Sequence, residues 1–147
     1  MAVVLDSDAV VGFLDSGDSL HHAADTAVRE LVREQPLVVS AVTYAEVLTG
    51  ARLGHHEEDQ TRGFFSRLIS EVLPVDTEIA DAAAALRAEH RALRMPDALI
   101  LATASTNPDV GLVLSGDAQA AKVDGLDCQV RRLSPAASPS GRRTPPR

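Results

Sequence analysis

Short, continuous apolar runs alternate along this chain with longer stretches of helical period. The pattern predicts buried strands joined through helices. Ala2-Val3-Val4-Leu5 is apolar and rich in β-branched residues, as a strand covered on both faces should be. Ser7 or Asp8 is placed to cap a helix over Ala9–Leu14, and Asp15-Ser16-Gly17-Asp18-Ser19 turns the chain. Apolar residues at 20, 24, 27, 28, 31 and 32 give Leu20–Gln35 a helical period, which Pro36 ends. Leu37-Val38-Val39 repeats the buried-strand pattern. Ser40 then caps a helix over Ala41–Leu53, with Gly54 where a C-terminal cap belongs.

The second half continues in the same way. Glu57–Ser70 reads as a helix with Phe64, Phe65, Leu68 and Ile69 inward, followed by a strand at Val72–Val75. Asp76 or Thr77 opens a helix through Leu93, and Pro96 opens another to about Ser105. Leu112-Val113-Leu114 is a strand, Ala118–Lys122 one or two helical turns, and Cys128–Leu133 a last strand. Strands separated by helices pair in parallel through right-handed crossovers. The expected architecture is therefore α/β, a three-layer α/β/α sandwich around a mostly parallel sheet of four to five short strands.

Composition sharpens this picture. The 147 residues fit one domain over 1–133, with 45% hydrophobic residues for a core and 3% aromatics, so Ala, Val and Leu must fill it. Ser134–Arg147 holds four of the eight prolines and no large apolar side chain, and is expected to be disordered. The single cysteine, Cys128, cannot form an internal disulfide, which fits a reducing compartment. No apolar run approaches the roughly 18 residues of a membrane helix, and Asp6 interrupts an N-terminal stretch that lacks a basic lead. A cytoplasmic location without membrane attachment is expected. The net charge is −7; the tail carries three arginines and no acids, which leaves −10 on residues 1–133. Such a body does not attract nucleic acid broadly, although a bound cation inverts the field around an acidic site.

The candidate chemistry lies in carboxylates placed within apolar runs. Asp6 and Asp8 follow the first strand, Glu46 stands alone in Ala41–Ala51, Asp97 alone in Met95–Ala104, and Asp117 closes Val110–Gly116. Acids are rarely buried without a partner, and none of these runs contains Lys or Arg, so a divalent cation shared by convergent carboxylates is the economical solution. Each acid also has an ordinary explanation. Asp6 can be a solvated strand-end acid or a helix cap, Asp8 a first-turn acid favoured by the helix dipole, Asp97 the same after Pro96, and Asp117 an N-cap. Glu46 is mid-helix and cannot cap; its neighbours Val42, Thr49 and Gly50 form a small, weakly polar stripe. Ser115 is placed to orient a water. His55-His56 reads as a solvated loop, and His21, His22 and His90 as helix-surface residues. No Gly-rich phosphate loop, Cys/His zinc spacing or nucleophile elbow occurs.

These pieces resemble the PIN-domain nucleases, and more closely the VapC-type toxins of toxin–antitoxin pairs. The matching segments are Val3–Val11, Ser40–Leu48 with Gly50, Pro96–Ala104 and Leu114–Asp117, in family order over residues 1–133. The resemblance implies a PIN-like fold and an acidic quartet of Asp6, Glu46, Asp97 and Asp117. It implies Mg²⁺ or Mn²⁺ as cofactor, RNA as substrate, hydrolysis of the RNA backbone, a VapB-like antitoxin partner and a homodimer. Where many relatives carry Ser or Thr this chain has Asp8, a fifth candidate ligand.

Two other readings stay open. Asp6-Ser7-Asp8 after a strand is also the opening motif of haloacid-dehalogenase-type phosphatases, with Gly116-Asp117 and Asp124 imitating a late acidic motif. That reading needs a lysine between the two ends, whereas the one lysine, Lys122, follows Asp117, and it leaves Glu46 and Asp97 without work. A non-catalytic binding module on the same fold is the other.

Overall fold

The computed structural model describes residues 1–135. Five strands, β1 (Ala2–Leu5), β2 (Leu37–Ser40), β3 (Ile69–Leu73), β4 (Val110–Ser115) and β5 (Gln129–Arg132), form one sheet. Its order is β3-β2-β1-β4-β5 and every pairing is parallel. The helices are α1 (Ser7–Leu14), α2 (His21–Leu31), α3 (Ala41–Arg52), α4 (Glu58–Leu68), α5 (Thr77–Glu89) and α6 (Met95–Ser105), with one 3₁₀ turn at Ala120–Lys122. The expected α/β class with a parallel sheet is what forms.

The sheet is covered on both faces because successive side chains of a strand point to opposite sides. Val3 and Leu5 of β1, with Leu37, Val39, Leu112 and Leu114, pack against α1, α2 and α4 through Val10, Val28, Phe64 and Phe65. Val4, Val38 and Val113 face the other way, onto Ala83 of α5 and Ala98, Leu101 and Ala102 of α6. The few aromatic rings concentrate on the first face. Phe13 and Phe64 lie 5.4 Å apart between centroids, and Tyr44 and Phe65 4.7 Å, at tilted angles favoured by the ring quadrupoles.

Several boundaries differ from the sequence expectation, each for a local reason. The cap of α1 is Asp6, whose side chain accepts from the Ala9 N–H, rather than Ser7 or Asp8. α2 runs from His21 to Leu31, four residues short of Gln35, and residues 32–35 form a turn before Pro36. The strand expected at Val72–Val75 begins at Ile69, because Ile69 joins the sheet beside Leu37 instead of ending α4. α5 stops at Glu89 rather than Leu93, and Leu93 is buried as the anchor of the loop into α6. Asp76, not Thr77, caps α5 through the Ile79 N–H. Of the tail expected to be disordered, residues 136–147 lie outside the described residues.

The α6 face carries much of the second core. Leu101 is 1% exposed among Val4, Val113 and Ile100. Leu101→Ala should lower unfolding stability by about 2–5 kcal/mol, the usual cost of a large-to-small core change. Urea denaturation read by circular dichroism checks it, with a lower midpoint at unchanged m-value.

Candidate active site

In a parallel sheet the carboxyl ends of the strands lie along one edge, where the following loops can gather polar groups. Here β1 ends at Asp6 and β4 ends at Ser115-Gly116-Asp117, on adjacent strands. Asp6 is 4% exposed. Its Oδ1 accepts from the Ala9 N–H at 2.8 Å and its Oδ2 from the Gly116 N–H at 3.1 Å. One carboxyl group therefore caps α1 and ties it to the loop after β4. Its backbone N–H donates to the Leu114 carbonyl at 3.0 Å, which continues the strand pairing to the site.

The remaining acids reach this edge from separate elements. Asp97, in the first turn of α6, is 9% exposed, and the Nε of Arg94 donates to its Oδ2 at 3.2 Å. Glu46, exposed on α3, accepts at Oε1 from the Ser7 hydroxyl at 2.6 Å. Asp117 accepts at Oδ2 from the Ala120 N–H at 3.1 Å, while its own N–H donates to the Ser115 hydroxyl oxygen at 3.0 Å. Asp8 lies beside Gly116, with Oδ2 3.3 Å from the place a Cβ on Gly116 would occupy. Asp8 is thus free of the capping duty, which Asp6 performs.

The electrostatics tie these groups into one cluster. Burial pushes the Asp6 carboxyl from its ordinary 3.8 up to about 7, against hydrogen bonds from Ser115, Ala9 and Gly116 that pull it down; the Asp8 charge adds to the rise. Asp8, although exposed overall, is raised by partial desolvation, then by Asp117, and also by Asp18 and Glu46, while Arg94 lowers it. Asp97 is raised by burial and by Asp117 and Asp8, with Arg94 opposing. The site is short of positive charge.

Among the described residues, no group of three or more Asp, Glu, His or Cys side chains is drawn together as a ready cation site. The carboxylates share an edge without closing into a coordination shell, and the Asp6 oxygens and Asp97 Oδ2 are held by other donors. The donor chemistry nevertheless fits a hard divalent cation. The groups are carboxylates without Cys or His, and three of them have their ionised forms disfavoured by burial and by one another.

Residues 3–126 match the PIN domain family, and the chain belongs to it. Its fold is that of VapC toxins. A toxin–antitoxin complex from Klebsiella pneumoniae aligns with TM-score 0.70 and 26% identity over 91% of this chain and 99% of that chain. VapBC2 from Rickettsia felis, bound to a promoter DNA fragment, gives TM-score 0.70 at 12% identity over 91% and 100%. VapC20 from Mycobacterium tuberculosis, a sarcin-ricin loop cleaving toxin, gives 0.64 at 13% over 86% and 98%. No curated protein matches the chain in sequence. PIN-domain nucleases are typically ribonucleases, and the family typically uses a divalent metal.

Sequence reasoning missed three contributors. Arg94 stands one residue outside the run counted as lacking a cation, and it partners Asp97. Ser7, expected as a possible cap, instead holds Glu46. Gly116 supplies an N–H and the space for Asp8. The histidines also depart from expectation. One ring nitrogen of His56 lies 2.8 Å from the Val47 carbonyl, with the ring over Gly50, so it closes the end of α3 rather than sitting in a solvated loop. His21 makes the same kind of bond, at 2.8 Å, to the Gly12 carbonyl of α1.

A Cβ on Gly116 would stand 2.6 Å from both Asp8 Cβ and Leu20 Cδ1. Gly116→Ala should therefore displace Asp8 and lower stability, more than Gly17→Ala on the surface does; thermal unfolding of the two variants checks it. Asp6 holds its proton in the folded chain up to about 7, while the unfolded chain releases it near 3.8. Folding takes up a proton in that window, so metal-free stability should fall as pH rises from about 4 to about 7. Asp6→Asn should flatten that slope, as denaturant titrations across the range would show.

Proposed function

We propose that this chain is a metal-dependent endoribonuclease and the toxin of a type II toxin–antitoxin pair. In this reading Asp6, Glu46, Asp97 and Asp117 hold Mg²⁺ or Mn²⁺, Asp8 is a further ligand, and Ser115 orients groups around them. The observation that carries it is the placing of carboxylates from four segments of the chain along one sheet edge, with Asp6, Asp8 and Asp97 raised by desolvation and by neighbouring acids so that a cation would relieve them. The family match and the VapC-like fold support the same conclusion.

Bound, the ion supplies Lewis acidity toward water and phosphate and neutralises the crowded charges. The chain's own groups do the positioning. Asp6 fixes α1 against the loop after β4, Ser7 holds the Glu46 carboxylate toward α1, and the Ser115 hydroxyl anchors the backbone of Asp117. The phosphatase reading asks for a lysine between Asp6 and Asp117, where the chain has none, and leaves Glu46 and Asp97 without work. A VapB-like antitoxin would neutralise the site with an inserted basic side chain, given the −10 charge of residues 1–133. The homodimer and the cytoplasmic location belong to the same proposal; no helix among the described residues is long and apolar enough to cross a membrane.

Asp6→Asn, Glu46→Gln, Asp97→Asn and Asp117→Asn should each reduce RNA cleavage by roughly 10²-fold or more, with circular dichroism unchanged. Excess EDTA should abolish cleavage, Mg²⁺ or Mn²⁺ should restore it, and p-nitrophenyl phosphate should not be turned over. Cleavage at the wild-type rate by two or more of the variants would refute the site. A protein that binds Mn²⁺ but cuts no RNA in cells or in vitro would support the binding-module alternative.

A further inference from the structure

Arg94 breaks a local rule. It is the N-cap residue of α6, where Ser, Thr, Asp or Asn is favoured, and its side chain makes no capping bond. A cation at a helix N-terminus also opposes the helix dipole. Sequences tend to violate such rules where a function needs the residue. Arg94 is moreover held in place. Arg87 Nη1 donates to the carbonyls of Arg91 at 2.9 Å and Leu93 at 2.7 Å, the Leu93 N–H returns to His90, and Leu93 is 1% exposed. The loop that presents Arg94 is thus fastened immediately before it.

The guanidinium then meets the acids by one edge. Nε donates to Asp97 Oδ2, while the two terminal nitrogens make no hydrogen bond among the described residues, and the side chain is 70% exposed. Its charge is felt by Asp97, Asp117, Glu46 and Asp8, and it touches Asp97 directly. A fork fixed by one nitrogen, with two donors open to solvent, is the geometry that grips a phosphate.

We propose that Arg94 is a substrate-binding residue, which keeps Nε on Asp97 and gives its terminal nitrogens to a non-bridging oxygen of the RNA phosphate. The proposal rests on the nuclease reading above. It assigns to this chain a local cation that offsets its acidic body at the point where a phosphodiester must approach.

The test measures binding rather than turnover. A fluorescein-labelled, mixed-sequence 20-nucleotide RNA is titrated by anisotropy in Mg²⁺ over a range of KCl, in a Glu46→Gln background that slows cleavage. Adding Arg94→Gln should weaken binding about tenfold or more and reduce the salt slope by about 0.7, one phosphate contact on a single strand. Arg94→Lys should keep most of the slope while losing part of the affinity, because the charge stays and the fork goes. Arg29→Gln is the control, an Arg side chain also 70% exposed but paired with Asp25 on α2, and should leave the slope unchanged. Thermal unfolding of every variant separates misfolding from lost contact. A folded Arg94→Gln protein with unchanged slope and affinity overturns the Arg94 assignment alone. Absence of RNA binding by the Glu46→Gln parent and by wild type in Ca²⁺ overturns the nuclease reading with it.

Discussion

Everything at the site depends on one buried carboxyl group. Asp6 must leave water to occupy its position, and it offsets that cost by accepting N–H groups from two otherwise separate pieces of backbone, the first turn of α1 and the loop after β4. A buried acid with two donors fixes distance and angle together, which apolar packing alone does less sharply. The strand ends of β1 and β4, the start of α1 and the loop carrying Asp117 are thereby set relative to one another. The remaining desolvation is visible in a carboxyl that holds its proton up to about 7. The same group that organises the edge also leaves it electrostatically unsatisfied, which is the reason for proposing a cation there.

The order of the sheet does the rest. With β1 central and β2 and β4 on either side, the segments following these three strands open onto a common edge. α6 packs on the opposite face from α1, so its first turn brings Asp97 to the edge from the other layer. Glu46 arrives on α3 from β2. Four segments distant in sequence thus converge through strand order, without a long loop or an added domain.

The strands, the helices and the parallel arrangement were legible because burial on both faces leaves continuous apolar runs. Positions were less legible where tertiary contacts decide the boundary. Ile69 has the same pattern in a helix or a strand, and pairing beside Leu37 decides for the strand. Leu93 looks like the end of α5 but is a loop anchor. The acids stood out since each interrupted an apolar run, and it was that same counting of runs that hid Arg94, one residue outside. The contacts that Ser7, Gly116 and His56 make gave no signal in the sequence. Their roles are contacts across 39 and 110 positions for the first two, and a ring folded back over a helix end for the third.

Of the five strands, the central one comes first in the chain and its neighbour β4 fourth. During synthesis β1 emerges with no partner, can pair with β2 after some 40 residues, and waits until residue 115 for the strand that carries Ser115. Asp6 finds the Gly116 N–H later still. Contacts so distant in sequence form late in folding. A nascent chain on the ribosome therefore cannot assemble this edge until β4 has emerged, and an incomplete product that stops just before β4 carries Asp6, Asp8, Glu46 and Asp97 but neither Asp117 nor the Gly116 N–H that fixes Asp6.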